Sequence, residues 1–196
     1  IQRTSRKGRN REQMKTIAIW NSPVLVLVDD EDFKYLNEFR WCLDTKGYPL
    51  RFGNRTRYYM HHEVLERMGI ILEPGEFADH KDLNILNACR SNLRAATKSQ
   101  NKANAGKRSN NTSGFKGVVL HKATNRWIAQ ICINGKVKHL GSFMSREAAA
   151  CAYDRAALKY FGEYAYLNFP HNKEIYLREL ANEENQTNQH SQEGNV

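Results

Sequence analysis

Between Lys102 and Ser113 the chain reads KANAGKRSNNTS, twelve small, polar or basic residues with no apolar periodicity, and the sequence on either side carries its own apolar pattern. A single core spanning all 196 residues would have to run through that break. Two small modules are therefore expected: a flexible basic arm over 1–15, a first module over 16–104, a linker over 105–113, a second module over 114–170 and a polar, unfolded tail over 171–196.

The net charge of +9 is unevenly spread. The tail from His171 holds five Glu against one Lys and one Arg, so the residues before it hold 28 basic and 16 acidic groups, a net +12. A field of that sign attracts polyanions, either nucleic acid or an anionic membrane surface. No apolar run approaches the roughly 20 residues that span a bilayer, and the opening IQRTSRKGRNREQMKT lacks the apolar core of a secretory leader. An intracellular nucleic-acid binder is expected, with no membrane and no small-molecule cofactor. Cys42, Cys89, Cys132 and Cys151 are far apart, with no paired spacing, which predicts free thiols and no structural zinc.

In the first module, Ile17 to Val28 is β-rich and Asp29 to Phe39 reads as a short helix. Trp41 to Tyr59 reads as two or three strands, turned at Lys46-Gly47 and Gly53-Asn54. Tyr59 to Met68 is helical in pattern, with Met60, Val64 and Met68 on one face. Then come strand, loop, strand and helix: Asp79-His80 ends a strand, Asn84 to Asn87 forms the loop, and Asn92-Leu93-Arg94-Ala95 returns. Thr97-Lys98-Ser99-Gln100 has the form of a capping box that places Asn101 in the first turn of a helix.

These residues have the chemistry of phosphodiester hydrolysis, which needs an activated water, neutralisation of charge growing on the phosphate, and a stabilised leaving oxygen. One Mg²⁺ or Mn²⁺ supplies the last two with as little as one carboxylate and one amide oxygen from the protein, here Asp79 and Asn101. His80 projects from the opposite side of an extended backbone, and a neutral imidazole suits general-base work near neutral pH.

The residues resemble the HNH, or ββα-metal, nuclease family, in particular its homing endonucleases. The resemblance runs from about Tyr48 to Asn104 through Met60-His61-His62, Asp79-His80, Asn84 and Asn87, Asn92-Leu93-Arg94 and Gln100-Asn101. It implies one ion per site on Asp79 and Asn101, His80 as the base, and Asn92 bracing the loop and orienting His80. His61 is a further catalytic candidate, with a structural role as its alternative. His62 stands where that family usually has Arg.

In the second module Phe115 to Leu120, Trp127 to Ile133 and Lys136 to Phe143 read as strands, the last two joined at Asn134-Gly135. Ser145 caps a helix whose alanines and tyrosines form one stripe, stopped at Gly162. The fold class expected is α+β, a ββα-metal domain followed by a three-stranded antiparallel sheet on one helix. Lys116, His121, Lys122, Arg126, Trp127, Gln130, Lys136, Lys138 and His139 are the DNA-contact candidates, since a sheet face enters the major groove. Val118, Ile128, Ile131 and Leu140 are expected to face the helix, and Trp127 is open to either role.

From about Ser113 to Pro170 the chain is similar to the Apetala-2/ethylene-response-factor DNA-binding domain. The similarity rests on Gly114-Phe115-Lys116-Gly117-Val118, Arg126-Trp127-Ile128-Ala129-Gln130-Ile131, Leu140-Gly141-Ser142-Phe143, Ala152-Tyr153-Asp154-Arg155-Ala156-Ala157 and Leu167-Asn168-Phe169-Pro170. Val119, Cys132 and His139 stand where plant domains have Arg, Arg and Trp, and Gln130 stands for Glu, so the plant target does not carry over. The combined expectation is a site-specific homing-type endonuclease whose second module docks on double-stranded DNA. The alternative is a DNA-binding regulator with an inactive nuclease fold.

Overall fold

The structure, a computed structural model, describes residues 14–20 and 22–193. The predicted basic arm lies outside them except for Met14 and Lys15, which open the first strand. The chain is mixed α+β and divides into two compact units, residues 1–95 and 96–196.

In the first unit β1 (Met14–Ala18) pairs antiparallel with β2 (Leu25–Asp29), and alternation turns Ile17, Val26 and Val28 into the core. α1 (Asp30–Leu36) carries Asp30, Glu31 and Asp32 in its first turn, where the helix dipole favours negative charge. Its last turn is tied off by the Trp41 indole, which donates to the Leu36 carbonyl at 2.7 Å.

β3 (Cys42–Leu43), β4 (Pro49–Gly53) and β5 (Thr56–Tyr59) form a meander. The hairpin turn falls on Asn54-Arg55, with φ of 49° and 63°, the paired left-handed geometry that matches strand twist. α2 (Met60–Arg67) follows β5 at once and sets Met60, Val64 and Leu65 against Trp41, Ile17 and Leu36. Asp32, fully buried, accepts from Arg67 Nε and Arg90 Nε at 2.6 Å each, and its two guanidinium partners offset the cost of burying the charge.

β6 (Glu76–His80) pairs with β7 (Leu93–Thr97), and β7 runs directly into α3 (Lys98–Asn104). The boundary between the units falls inside β7. That is earlier than the polar composition of 105–113 suggests, because α3 belongs with the second unit.

In that unit Thr97 and Gln100 form the predicted capping box, with Thr97 N donating to Gln100 Oε1 at 2.8 Å. Tyr166 N donates to the Ala103 carbonyl. The predicted linker is folded onto the same unit: Asn111 Nδ2 donates to the Phe115 carbonyl at 2.8 Å, Gly114 N donates to Asn111 Oδ1 at 2.7 Å, and Ser113 is buried. Short polar side chains here build turns instead of a free spacer.

β8 (Val118–His121), β9 (Arg126–Ile133) and β10 (Lys136–Phe143) form an antiparallel sheet in the order β10-β9-β8. α4 (Arg146–Phe161) lies across it, capped by Ser145 Oγ and ended at Gly162. Its Ala149, Ala150, Tyr153 and Ala157 pack on Val118, Ala129 and Ile131. Gly117, at φ +75°, is required there: a Cβ would come within 1.9 Å of the Tyr153 ring. Buried Asp154 accepts from the backbone N–H groups of Asn168 and Phe169 at 2.8 Å, closing the end of the domain.

α5 (Lys173–Glu193) is helical where the composition predicts an unfolded tail. Its first half is anchored on α4 by buried Tyr176 and by Arg155, which pairs with Glu179 and Glu183. Two of its glutamates, Glu179 and Glu183, are thus counter-ions for the domain.

Candidate active site and nucleic-acid interface

Asp79 and His80, the last two residues of β6, are 4% and 5% exposed. Arg94 on β7, itself 8% exposed, donates through Nε to Asp79 Oδ2 at 2.8 Å. The sequence motif contains this arginine but does not say that it grips the carboxylate.

The loop from Lys81 to Asn92 is organised around Asp82, which sequence reasoning missed. Its Oδ1 accepts from Asn84 N at 2.8 Å and from Asn92 Nδ2 at 2.9 Å, and its Oδ2 accepts from Asn87 Nδ2 at 2.8 Å. Burial works against its charge, yet these donors prevail and hold the carboxyl below its usual range. Asn92 also donates to the Asn87 carbonyl at 2.8 Å and accepts from Asp82 N at 3.0 Å.

Asn84, Asn87 and Asn92 are thus braces within one loop. The loop is pinned to the core where Leu27 N donates to the Leu86 carbonyl at 2.8 Å. The signal for Asp82 was present in the sequence, since Asp-x-Asn is the spacing at which a carboxylate caps the backbone two residues on.

The first turn of α2 delivers His61 and His62 beside His80. The His61 ring centroid lies 4.6 Å from that of His62 and 5.2 Å from that of His80. Tyr48 and Tyr59 flank His61 at 5.4 and 5.6 Å. Burial, reinforced by the neighbouring imidazoles, drives the His61 pKa down to about 3, and burial also lowers His62. His80 is lowered by burial too, with Asp82 and Asp79 pulling in the other direction. Neutral imidazoles result, the form that accepts a proton. His61 Nδ1 is buried with no hydrogen-bond partner among the described residues. Asn101 sits on α3 in the second unit. Among the described residues no group of three or more His, Cys, Asp or Glu side chains could hold a metal ion.

Register decides the DNA-contact candidates. His121 lies opposite Arg126, Val119 opposite Ile128, and Gln130 opposite His139, and these residues share the sheet face turned away from α4. Lys122 is exposed in the turn after β8. Arg126 Nε donates to Ser142 Oγ at 3.0 Å, which aligns its guanidinium along the sheet.

Four candidates lie elsewhere. Trp127 faces α4 and packs in the core. Lys136 pairs with Ile133 and Lys138 with Ile131 on the helix side, where Lys138 Nζ donates to Tyr160 Oη at 2.6 Å. The Lys116 ammonium donates to the carbonyls of Lys102, Ala103 and Ala105 at the end of α3, and burial lowers its pKa to about 8. Ile128, expected inward, faces out by the same two-residue period.

No family model and no solved structure matches the chain. It is 31% identical over 134 residues to an uncharacterised HNH endonuclease of Acanthamoeba polyphaga mimivirus, a match covering 66% of this chain and 67% of that protein. The chain belongs to the HNH endonuclease family. It is also 45% identical over 58 residues to APETALA2-like protein 2 of Oryza sativa, and 42% identical over 72 residues to an AP2-like ethylene-responsive transcription factor of Arabidopsis thaliana. Those matches cover 30% and 36% of this chain but only 13% and 15% of the plant proteins, so an APETALA2-like domain accompanies the nuclease. No described helix is long and apolar enough to cross a membrane.

Proposed function

We propose that the chain is a site-specific DNA endonuclease of the homing type that hydrolyses phosphodiesters with one divalent ion, Mg²⁺ or Mn²⁺, and docks through the sheet of its second unit. The reading is carried by His80, a buried imidazole that ends β6 directly after the Asp79 carboxylate, at the start of a loop that Asp82, Asn84, Asn87 and Asn92 hydrogen-bond into shape. His80 takes the proton of the attacking water, Asn92 keeps the loop in register, and His61 packs against His80 to fix its ring.

Asp79 and Asn101, by resemblance to the family, are the oxygen ligands of the ββα-metal site, and hard oxygen donors are what Mg²⁺ and Mn²⁺ take. The bound ion supplies charge neutralisation at the phosphate and the leaving oxygen. His121, Lys122, Arg126, Gln130 and His139 contact DNA. Gln130, an amide suited to adenine, lies among apolar Val119, Ile128 and Val137, which favours thymine methyls beside it.

Incubating the full chain with a random duplex library and Mg²⁺ or Mn²⁺, then mapping the cut ends, tests the proposal; cleavage at a recurring sequence that disappears in His80→Ala is expected. Binding without cleavage under either ion would favour the second reading, a DNA-binding regulator with an inactive nuclease fold. That reading draws support from the Arg94 guanidinium on Asp79, which already neutralises the carboxylate a metal would use.

A further inference from the structure

The β4–β5 hairpin carries charge and aromatic surface that the catalytic reading does not use. From Thr45 to His62 the chain holds Lys46, Arg51, Arg55 and Arg57 and no Asp or Glu. Arg51 is committed internally, ion-paired to Glu63 at 2.7 Å and lying over the Phe39 and Tyr58 rings at 4.0 and 4.3 Å. Arg55 and Arg57 are exposed, and neither side chain has an ion-pair partner among the described residues. Phe52 is 66% exposed and shares the hairpin with those two unpaired cations.

Register shows what the exposed groups have in common. Leu50 pairs with Tyr59 and Phe52 with Arg57, so the four side chains lie on one face of the ribbon. Tyr59 contacts the rings of His61 and His62 at 5.6 and 5.8 Å. Phe52 and Arg57 therefore continue, one pleat or about 7 Å further out, the surface that begins at the histidine cluster. Arg55 caps it at the turn.

From this we infer that the hairpin is a second DNA-contacting element, belonging to the first unit, in which Arg55 and Arg57 grip phosphates flanking the cut and Phe52 wedges against a base step beside it. A polyanion suits the unopposed arginines, a ribbon fits a groove, and an apolar side chain pressed into a base step deforms the duplex next to the cut. The inference rests on the proposed nuclease reading and adds a contact the docking sheet does not provide.

The test uses the full chain and a duplex recovered from a random library by binding to it, with 2-aminopurine placed in turn at each step of the bound site. Binding is read in EDTA, cleavage in Mg²⁺. Wild-type protein is expected to raise 2-aminopurine emission. Phe52→Ala should abolish that rise and weaken binding about tenfold, while melting with the wild type because the ring is exposed. Arg55→Gln/Arg57→Gln should flatten the salt dependence of binding by about two units of slope. Wild-type binding with both variants indistinguishable from it overturns the hairpin inference and leaves the nuclease reading standing. A wild type that binds no duplex overturns both. Variants that lose the emission change and salt slope while the wild type binds but does not cut support the hairpin contact and remove only the catalysis.

Discussion

Arg94→Met is the most searching perturbation of the first unit. It removes the guanidinium from a carboxylate that is 4% exposed, and breaking a buried pair from one side costs roughly 3–5 kcal/mol. For a unit of this size each kcal/mol moves the midpoint by about 4–8 °C, so a fall of at least about 12 °C is expected. In a Trp127→Phe background the remaining tryptophans, Trp20 and Trp41, both lie in the first unit, so fluorescence melting reports that unit alone. Asp79→Asn/Arg94→Met should recover most of the loss, because a neutral amide no longer needs the counter-charge. Added Mg²⁺ should raise the midpoint of Arg94→Met more than that of the wild type, since a divalent cation replaces the missing positive charge. A loss below about 1 kcal/mol, the range of an exposed pair, or a double variant as unstable as the single one, would refute the account of Asp79 as a carboxylate held by Arg94.

His80→Ala should abolish cleavage while changing duplex affinity by less than about twofold, by gel shift, the cost of removing a buried group that makes no groove contact. His61 binds a proton near pH 6.5 when unfolded but only near 3 when folded. The stability it contributes is therefore complete above pH 6.5 and lost as pH falls, by about 2 kcal/mol between pH 6.5 and 5; urea titrations of wild type and His61→Asn at the two pH values should differ by that slope. Gln130→Glu should move the preferred base at its position from adenine to cytosine in a selected-site experiment, and an unchanged base there removes Gln130 from readout. Gly117→Ala forces a left-handed residue against Tyr153 and should cost about 2–5 kcal/mol in the unfolding of the second unit.

The elements were legible where chemistry repeats at a fixed local spacing. The Asn134-Gly135 hairpin, the Thr97–Gln100 capping box, the Ser145 cap and the Gly162 stop are local rules, and each is present. So were Asp79 and His80 at the end of one strand, and the bracing role of Asn92. Asp82 and Arg94 were not, because both act through partners on the far side of the loop, and a carboxylate or guanidinium in a sequence does not announce which group it will face. The α5 helix was missed because its helix-favouring counter-ions lie on α4, twenty or more residues away.

The lysines show why charge alone misplaces an interface. Lys116, Lys136 and Lys138 all add to the basic count that draws the chain to DNA, yet a strand has two faces, and a bulge between His139 and Gly141 resets the alternation of β10 midway. Whether a lysine meets phosphate or helix depends on a register no count contains. Lys116 carries the point further. Its ammonium closes the carbonyl end of α3, the helix that carries Asn101, and so ties the candidate metal ligand to the unit bearing the sheet proposed to dock on DNA. A substitution of Lys116 chosen to weaken phosphate contact would therefore act first on the seating of that helix, and a loss of cleavage larger than the loss of binding is its expected signature.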